Sequence, residues 1–429
     1  MTASIITILI RLFVFFLFWF LIDLYVYQAV KVITASIEKP FLRNGIRTAY
    51  WLADIIIAFF ILYIFLSHSQ NKGVTLLGGK VFAAVILFFV PKFFFITPFM
   101  LLEDITRLFA SVIKWISNRG NTHFHIDSRR KFVSQIALGI AAIPFLGILH
   151  GITKGKYNFR VLRETLYFPD LPDAFDGFTI TQVSDIHSGS FDNFDEVKRG
   201  VEMIDAEKSD LLVFTGDMVN NLATEAEPYV ELFKGLSAPH GKYSIYGNHD
   251  YGDYIKWNSV QEKENNLKNL AKIHQRMGFK LMLNENVSLS KNNQNIRLLG
   301  IENWGLPPFP QKGDLKAALQ GVEKDEFKIL LSHDPSHFEE QVKKHDTKIH
   351  LTLSGHTHGM QFGIEIPGFK WSPVKFRYPR WAGLYTANGR YLYVNRGFGF
   401  LVFPGRVGIW PEITVITLKK GNHPGLKTT

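Results

Sequence analysis

The chain has 429 residues, no cysteine, 47% hydrophobic residues with 38 Phe, and 48 Lys+Arg against 38 Asp+Glu. The absence of cysteine excludes disulfides and thiolate metal sites. A net charge of +10 does not by itself indicate nucleic acid, because many of the basic residues flank long apolar runs and suit anionic lipid instead.

Four stretches have the roughly 20 apolar residues that a bilayer span needs: Ile8–Val30, Ala49–Leu66, Val81–Leu102 and Phe132–His150. Trp19, Tyr25 and Tyr27 suit an interfacial aromatic belt, Pro91 is tolerated in a membrane helix, and the Gly/Ala-rich fourth span lets helices approach closely. Asp23, Asp54 and Lys92 lie inside these spans. The expectation for them is mutual pairing and snorkelling rather than a transport path. Between the third and fourth spans, Ile105, Leu108, Phe109, Val112, Ile113 and Ile116 fall on one helical face, which reads as an amphipathic helix at the interface, with a helix docking on the other spans as the competing reading. The first and third loops carry Lys31, Lys39, Arg43, Arg47, Arg107, Lys114, Arg119, Arg129, Arg130 and Lys131. The other side carries Lys72, Lys80, Lys154, Lys156, Arg160 and Arg163. This bias puts the loops in the cytoplasm and the region after the fourth span on the outer or periplasmic face of a multi-pass inner-membrane protein. Ser128–Val133 resembles a twin-arginine export signal without a cleavage site, which agrees.

After Gly151 the pattern changes to short apolar strands alternating with amphipathic helices, predicted at Phe194–Glu207, Glu225–Leu236 and Gln261–Met277. The expected division is 1–150 for the membrane region and 151–429 for an α/β domain. Apolar runs such as Thr179–Val183, Leu211–Phe214 and Ile329–Leu331 are each followed by polar residues that bind metals. Strands of an open α/β sheet gather their functional groups at their carboxyl ends. The blocks contribute Asp185, His187, Asp217, Asn248, His333, His356 and His358. Nitrogen and oxygen donors of this kind suit borderline divalent ions such as Mn, Fe or Zn. Seven candidates exceed one four-coordinate ion and suffice for two that share a carboxylate, an arrangement that acts on phosphorus esters.

The ordered blocks D-x-H, G-D, G-N-H-D, H and G-H-T-H resemble the calcineurin-like metallophosphoesterases, in particular their membrane-anchored branch with the transmembrane metallophosphoesterases and the UDP-2,3-diacylglucosamine pyrophosphatase-like enzymes. The likeness runs from about Asn158 to Leu418 and includes Tyr393–Gly397 and Pro411–Thr414. It implies a four-layer α/β/β/α sandwich and two divalent metal ions. One would be held by Asp185, His187 and His358, the other by Asn248, His333 and His356, with Asp217 between them and a hydroxide there as nucleophile. It implies that His249 protonates the leaving oxygen. Met360 departs from the resemblance, which has glycine at that position. Asp250 and Asp334 follow ligand positions and are candidates for orienting imidazoles or capping turns. Trp371, Arg377, Trp381, Arg396 and Phe400 are candidate substrate contacts, able to hold an acyl chain and an anionic head group. The expected partners are therefore the lipid bilayer and a phosphorylated or lipid-linked substrate. No protein partner can be inferred. A soluble phosphodiester is the alternative substrate, and a non-catalytic metal scaffold is a further one.

Overall fold

The structure is a computed structural model that describes residues 2–67, 76–117 and 126–422. Lys72, Asn118 and Arg119 lie outside these described residues. Chain contacts cluster into two units, with the change at His150–Gly151.

The first unit is helical: α1 (Thr2–Thr34), α2 (Pro40–Ser67), α3 (Leu76–Pro91), α4 (Thr97–Ile116) and α5 (Ile126–Thr153). Among the described residues, four segments are long and apolar enough to cross a membrane: Ile10–Thr34, Pro40–Ile64, Leu77–Ile113 and Arg129–Thr153. Phe13, Phe59, Leu108 and Ile143 are more than half exposed, as expected of helices that are apolar all round and meet lipid tails rather than water. The third span and the predicted interfacial helix are one run, α3 and α4 joined by a π-turn at Lys92–Ile96. The stripe Ile105–Ile116 thus lies on a helix continuous with the third span. Pro91 lacks an N–H and loosens the ladder at that point, and the Thr97 hydroxyl donates to the Lys92 carbonyl at 2.8 Å. The turn aims Lys92 inward, where its ammonium donates to Asp23 at 2.6 Å and to both Asp54 oxygens at 2.9 and 2.7 Å. Asp23, Asp54 and Lys92 therefore pair with one another.

The second unit contains two six-stranded mixed sheets. Its strands are β1 (Arg160–Phe168), β2 (Thr179–Val183), β3 (Leu211–Phe214), β4 (Lys242–Ser244), β5 (Lys280–Leu281), β6 (Glu285–Lys291), β7 (Gln294–Gly300), β8 (Lys328–Leu331), β9 (Leu351–Ser354), β10 (Ile364–Ile366), β11 (Phe369–Trp371), β12 (Gly383–Ala387), β13 (Arg390–Val394) and β14 (Glu412–Lys420). The sheet orders are β1-β14-β2-β3-β4-β5 and β12-β13-β9-β8-β7-β6, and β10 and β11 form a separate hairpin. Side-chain alternation explains the layering. Leu211 and Val213 of β3 face Ile329 and Leu331 of β8 in the core between the sheets. Leu212 and Phe214 face outward onto α6 (Phe194–Ala206) and α8 (Val260–Arg276) through Val197, Val201, Leu270 and Ile273. Leu330 faces the opposite outer layer with Leu315 and Phe338. Being buried on both faces, these strands read in sequence as unbroken apolar runs.

Asn193 caps α6 by accepting from Glu196 N–H, and Ser259 caps α8 by accepting from Glu262 N–H, the usual role of short polar side chains at helix starts. The helix predicted at Glu225–Leu236 is instead a 3-10 segment, Ala223–Tyr229, followed by α7 (Val230–Lys234). Pro228 cannot donate the hydrogen bond that a continuous helix needs.

Candidate metal centre

The loops after β2, β3, β4, β8 and β9 meet at the carboxyl edges of both sheets. Backbone bonds lock them together: Asp185 N–H donates to the Gly216 carbonyl, His187 N–H to the Asp217 carbonyl and Gly355 N–H to the His333 carbonyl. The turns are sharp. Asp185, His187, Asp217, His356 and His358 all have positive φ, between 48° and 71°. Residues with side chains adopt that region at a cost, and such positions concentrate at functional sites. Two glycines make room. A Cβ on Gly355 would lie 1.9 Å from Ser184 Oγ, and one on Gly247 would lie 2.2 Å from Asp217 Oδ1.

Two groups of potential metal donors result, Asp185 with His187 and His358, and Asp217 with His333 and His356, the donor atoms of each lying within 4.8 Å of one another. Asp217 Oδ2 is 3.2 Å from His333 Nε2 in its own group and 3.5 Å from His187 Nε2 in the other. His358 Nε2 is 3.2 Å from Asp185 Oδ1. The Asn248 carbonyl oxygen faces His356 Nδ1 at 2.8 Å while its amide donates to Tyr254 Oη. His187 Nδ1 meets Asn220 Oδ1 at 3.1 Å and His333 Nδ1 meets the Thr215 carbonyl at 2.7 Å. Those outer bonds set the tautomer that turns Nε2 toward the centre.

The centre is electrostatically incomplete as a set of protein groups. The Nε2 atoms of His187, His333 and His358 are buried without a hydrogen-bond partner. Buried polar atoms are normally paired, so three orphans converging on two carboxylates fit divalent cations. Burial opposes ionisation of Asp185 and Asp217, yet the facing histidines hold both below the ordinary carboxylate range. Burial likewise disfavours a charged His333, but Asp217 overrides it and carries the imidazole up to about 10.

The other predicted residues have different surroundings. His249 is partly exposed beside the centre. Its N–H donates to Asp217 Oδ1 at 2.8 Å, its Nδ1 meets the Asn220 carbonyl at 2.9 Å, and Tyr254 stacks on its ring at 4.3 Å. Asp250 orients no imidazole. Its carboxylate accepts the N–H groups of Gly247, Asp217 and Met218 at 2.8–2.9 Å and so shapes the turn that presents Asp217. Burial and the Asp217 charge push that carboxyl up to about 7 against those N–H groups. Asp334 does both jobs, accepting Ser336 N–H at 2.8 Å and standing 3.4 Å from His356 Nε2.

The substrate candidates need correction. Phe400 is buried against Tyr157 and Phe191, and Trp381 is buried with Tyr378 and Ile409. The stability of the core depends on these rings, so they offer no face to an acyl chain. Arg396 is neutralised by Glu365 and Glu412. Arg377 is exposed and donates to the Pro307 carbonyl at 3.0 Å, and Trp371 sits half-buried on the β10–β11 hairpin.

Sequence reasoning missed Tyr378, whose Oη lies 2.7 Å from His356 Nε2, although it stands between the candidates Arg377 and Trp381. It also missed Arg406, fully buried, which donates to the Gly397 carbonyl at 3.1 Å and approaches His358 Nδ1 at 3.2 Å. No spacing rule links Arg406 to a histidine 48 positions away.

The model described as the transmembrane domain of a probable calcineurin-like phosphoesterase matches residues 6–156, and the calcineurin-like phosphoesterase model matches residues 178–360. An uncharacterized metallophosphoesterase, YkuE, of Bacillus subtilis is 32% identical over 69% of this chain and 99% of its own length. The zebrafish "transmembrane protein with metallophosphoesterase domain" is 28% identical over 67% of this chain, which spans just 63% of that relative. Phosphodiesterase YaeI of Escherichia coli is 25% identical over 68% of this chain and 99% of its own length. With the ligand blocks on the carboxyl edges of a mixed α/β fold and four apolar helices before it, the chain belongs to the calcineurin-like metallophosphoesterases and is a membrane protein with metal-dependent phosphoesterase activity.

Proposed function

We propose that the enzyme hydrolyses a phosphodiester or pyrophosphate with two divalent cations that share Asp217. Asp185, His187 and His358 would hold one, and Asn248, His333 and His356 would hold the other. The observation that carries this reading is the position of Asp217 Oδ2, within 3.5 Å of an unpartnered imidazole nitrogen from each group. When bound, such cations supply Lewis acidity at phosphoryl oxygens and bring the pKa of water down to about 7.

The chain's own groups do the rest. Asn220 and the Thr215 carbonyl fix the rings of His187 and His333. Tyr378 and Asp334 flank His356 on the side away from Asn248. His249 has Nδ1 committed to the Asn220 carbonyl, so Nε2 is the atom that passes a proton to the leaving oxygen. A general acid so placed is worth roughly 10²–10⁴ in rate.

Four apolar helices ahead of the site favour a lipid-linked substrate, and a relative named as a phosphodiesterase supports the diester class. The burial of Phe398, Phe400 and Phe403 favours the second reading, a tethered enzyme for a soluble phosphodiester. The charge bias of the loops supports a catalytic unit on the outer face. The deciding experiment is a hydrolysis screen of the purified chain with Mn, Fe, Zn or Mg against acylated and deacylated phosphodiesters. Faster cleavage of the acylated form supports the lipid reading, and equal rates overturn it. A topology reporter fused at Thr429, outside the described residues, should read the outer face. A cytoplasmic signal reverses the orientation.

A further inference from the structure

Shortly after His358 the chain forms a two-stranded hairpin closed by Pro367-Gly368, with Gly368 at φ 80°. Its register pairs Ile364 with Trp371, Glu365 with Lys370 and Ile366 with Phe369. Directly opposed residues share a face. One face is therefore wholly apolar (Ile364, Ile366, Phe369, Trp371) and the other is charged. A hairpin on a water-soluble domain turns its apolar face inward. Here the arrangement is reversed. Glu365 faces the domain and accepts from Arg396 at 2.9 Å, and Lys370 donates to the Ala382 carbonyl and lies 5.3 Å from the centre of the Trp381 ring. Ile364, Ile366 and Phe369 are left 50%, 59% and 51% exposed.

The root of this hairpin adjoins the last turn of α5, which belongs to the second unit. Arg406 N–H donates to the Gly151 carbonyl at 3.1 Å. A Cβ on Gly151 would lie 2.6 Å from Val407 Cγ2. Val407 then pairs with the strand that leads into β10, accepting Gly363 N–H at 2.9 Å and bridging to Phe362. Gly151, two residues before the end of a candidate span at Thr153, thus touches the segment that pairs with the start of this hairpin. Val402, next to the Phe403 ring that packs on Phe362, is exposed there as well.

We propose that the apolar face of the β10–β11 hairpin seats in the headgroup–acyl boundary of the bilayer that α5 crosses. Three residues per strand reach about 10 Å, which matches the roughly 5–10 Å depth at which amphipathic elements rest in an interface. Lys375 and Arg377, exposed just beyond β11, supply the basic rim that anionic headgroups attract. The inference is independent of the reaction proposed above. It rests on exposure, register and the position of the end of α5.

The chain has no cysteine, so a single label reports one position. Ile366→Cys carries an environment-sensitive nitrobenzoxadiazole dye in the full-length chain, reconstituted into phosphatidylcholine–phosphatidylglycerol vesicles. The reference is the same dye at Val260→Cys, a site 76% exposed at the start of α8. The expected result is blue-shifted emission at position 366, quenching by nitroxide-bearing lipids, and several-fold weaker quenching by aqueous iodide than at position 260. Equal iodide quenching at the two positions overturns the proposal. Protection from iodide without lipid-borne quenching also overturns it, because a protein surface then covers the face. Phe369→Cys repeats the reading on the neighbouring strand, so a misfolded single variant does not decide the outcome.

Discussion

Two buried charge clusters among the described residues are built on opposite plans. In the membrane unit, Lys92, Asp23 and Asp54 bond to one another, and Tyr50 adds a donor to Asp23 at 3.0 Å. In the catalytic unit, Asp185 and Asp217 face His187, His333 and His358, yet three imidazole nitrogens have no partner. The first cluster is satisfied by its own members. The second is complete only with something added. Buried charges in a closed set act structurally, whereas an open set of lone pairs marks a place for a cation.

The largest expected effect tests the open cluster. Asp217→Asn removes the charge on which both donor groups converge, so bound metal drops and turnover falls to background. His249→Ala should keep the metal and lower turnover by roughly 10²–10⁴. Metal content and turnover measured on both variants separate the roles. If His249→Ala loses metal as fully as Asp217→Asn, the division between ligand and proton donor is wrong.

The closed cluster should behave the other way. Lys92→Met strands two buried carboxylates, and breaking a buried ion pair on one side costs about 3–5 kcal/mol. Thermal unfolding of the detergent-solubilised chain should show that loss, with hydrolysis per folded molecule unchanged. Replacing all three residues with apolar ones of similar volume should restore stability. Lost turnover at full stability would give the triad a functional role instead.

A third test concerns histidines buried outside both clusters. Burial holds His274 down to about 3, and His337 and His350 down to about 4. In an unfolded chain they titrate near ~6.5. Between that value and the folded ones, the unfolded state binds more protons, so stability is lost as the pH falls from about 6.5 toward 4. Melting curves across that window should show the decline, and His274→Asn, which keeps a donor toward Ser244, should flatten it.

The smallest effect concerns Met360, held at φ 54° and 56% exposed. This is the position where the family resemblance has glycine, and the left-handed backbone explains why. Met360→Gly should raise stability by about 1 kcal/mol, read as a higher midpoint in denaturant. An unchanged or lower midpoint removes the strain argument.

The candidate ligand blocks were legible in the sequence because each follows a strand that is buried on both faces, and such strands appear as unbroken apolar runs ending in polar residues. Asp217, His333 and His356 could be named for that reason. The four spans were legible because a bilayer requires long apolar helices. The pairing of Asp23, Asp54 and Lys92 was expected from the cost of isolated charge in lipid, but its geometry came from the π-turn after Pro91.

Burial on a loop was not legible. Phe400 and Trp381 look like ligand contacts in sequence, because an aromatic in such a loop has the same composition whether it lines a groove or plugs a core. Arg406 and Tyr378 were invisible as neighbours of His358 and His356, since nothing local couples residues 48 and 22 positions apart. The face on which the β10–β11 hairpin exposes its isoleucines was undecided as well. Alternation defines two faces but not which one meets the domain, and here the Glu365–Arg396 pair made that choice. The sequence alone determined what chemistry is carried and where each strand ends, because both depend on local pattern. Only the tertiary structure decided which aromatics are core, which side chains orient the candidate ligands and which apolar surface is left exposed, because these depend on contacts between distant segments.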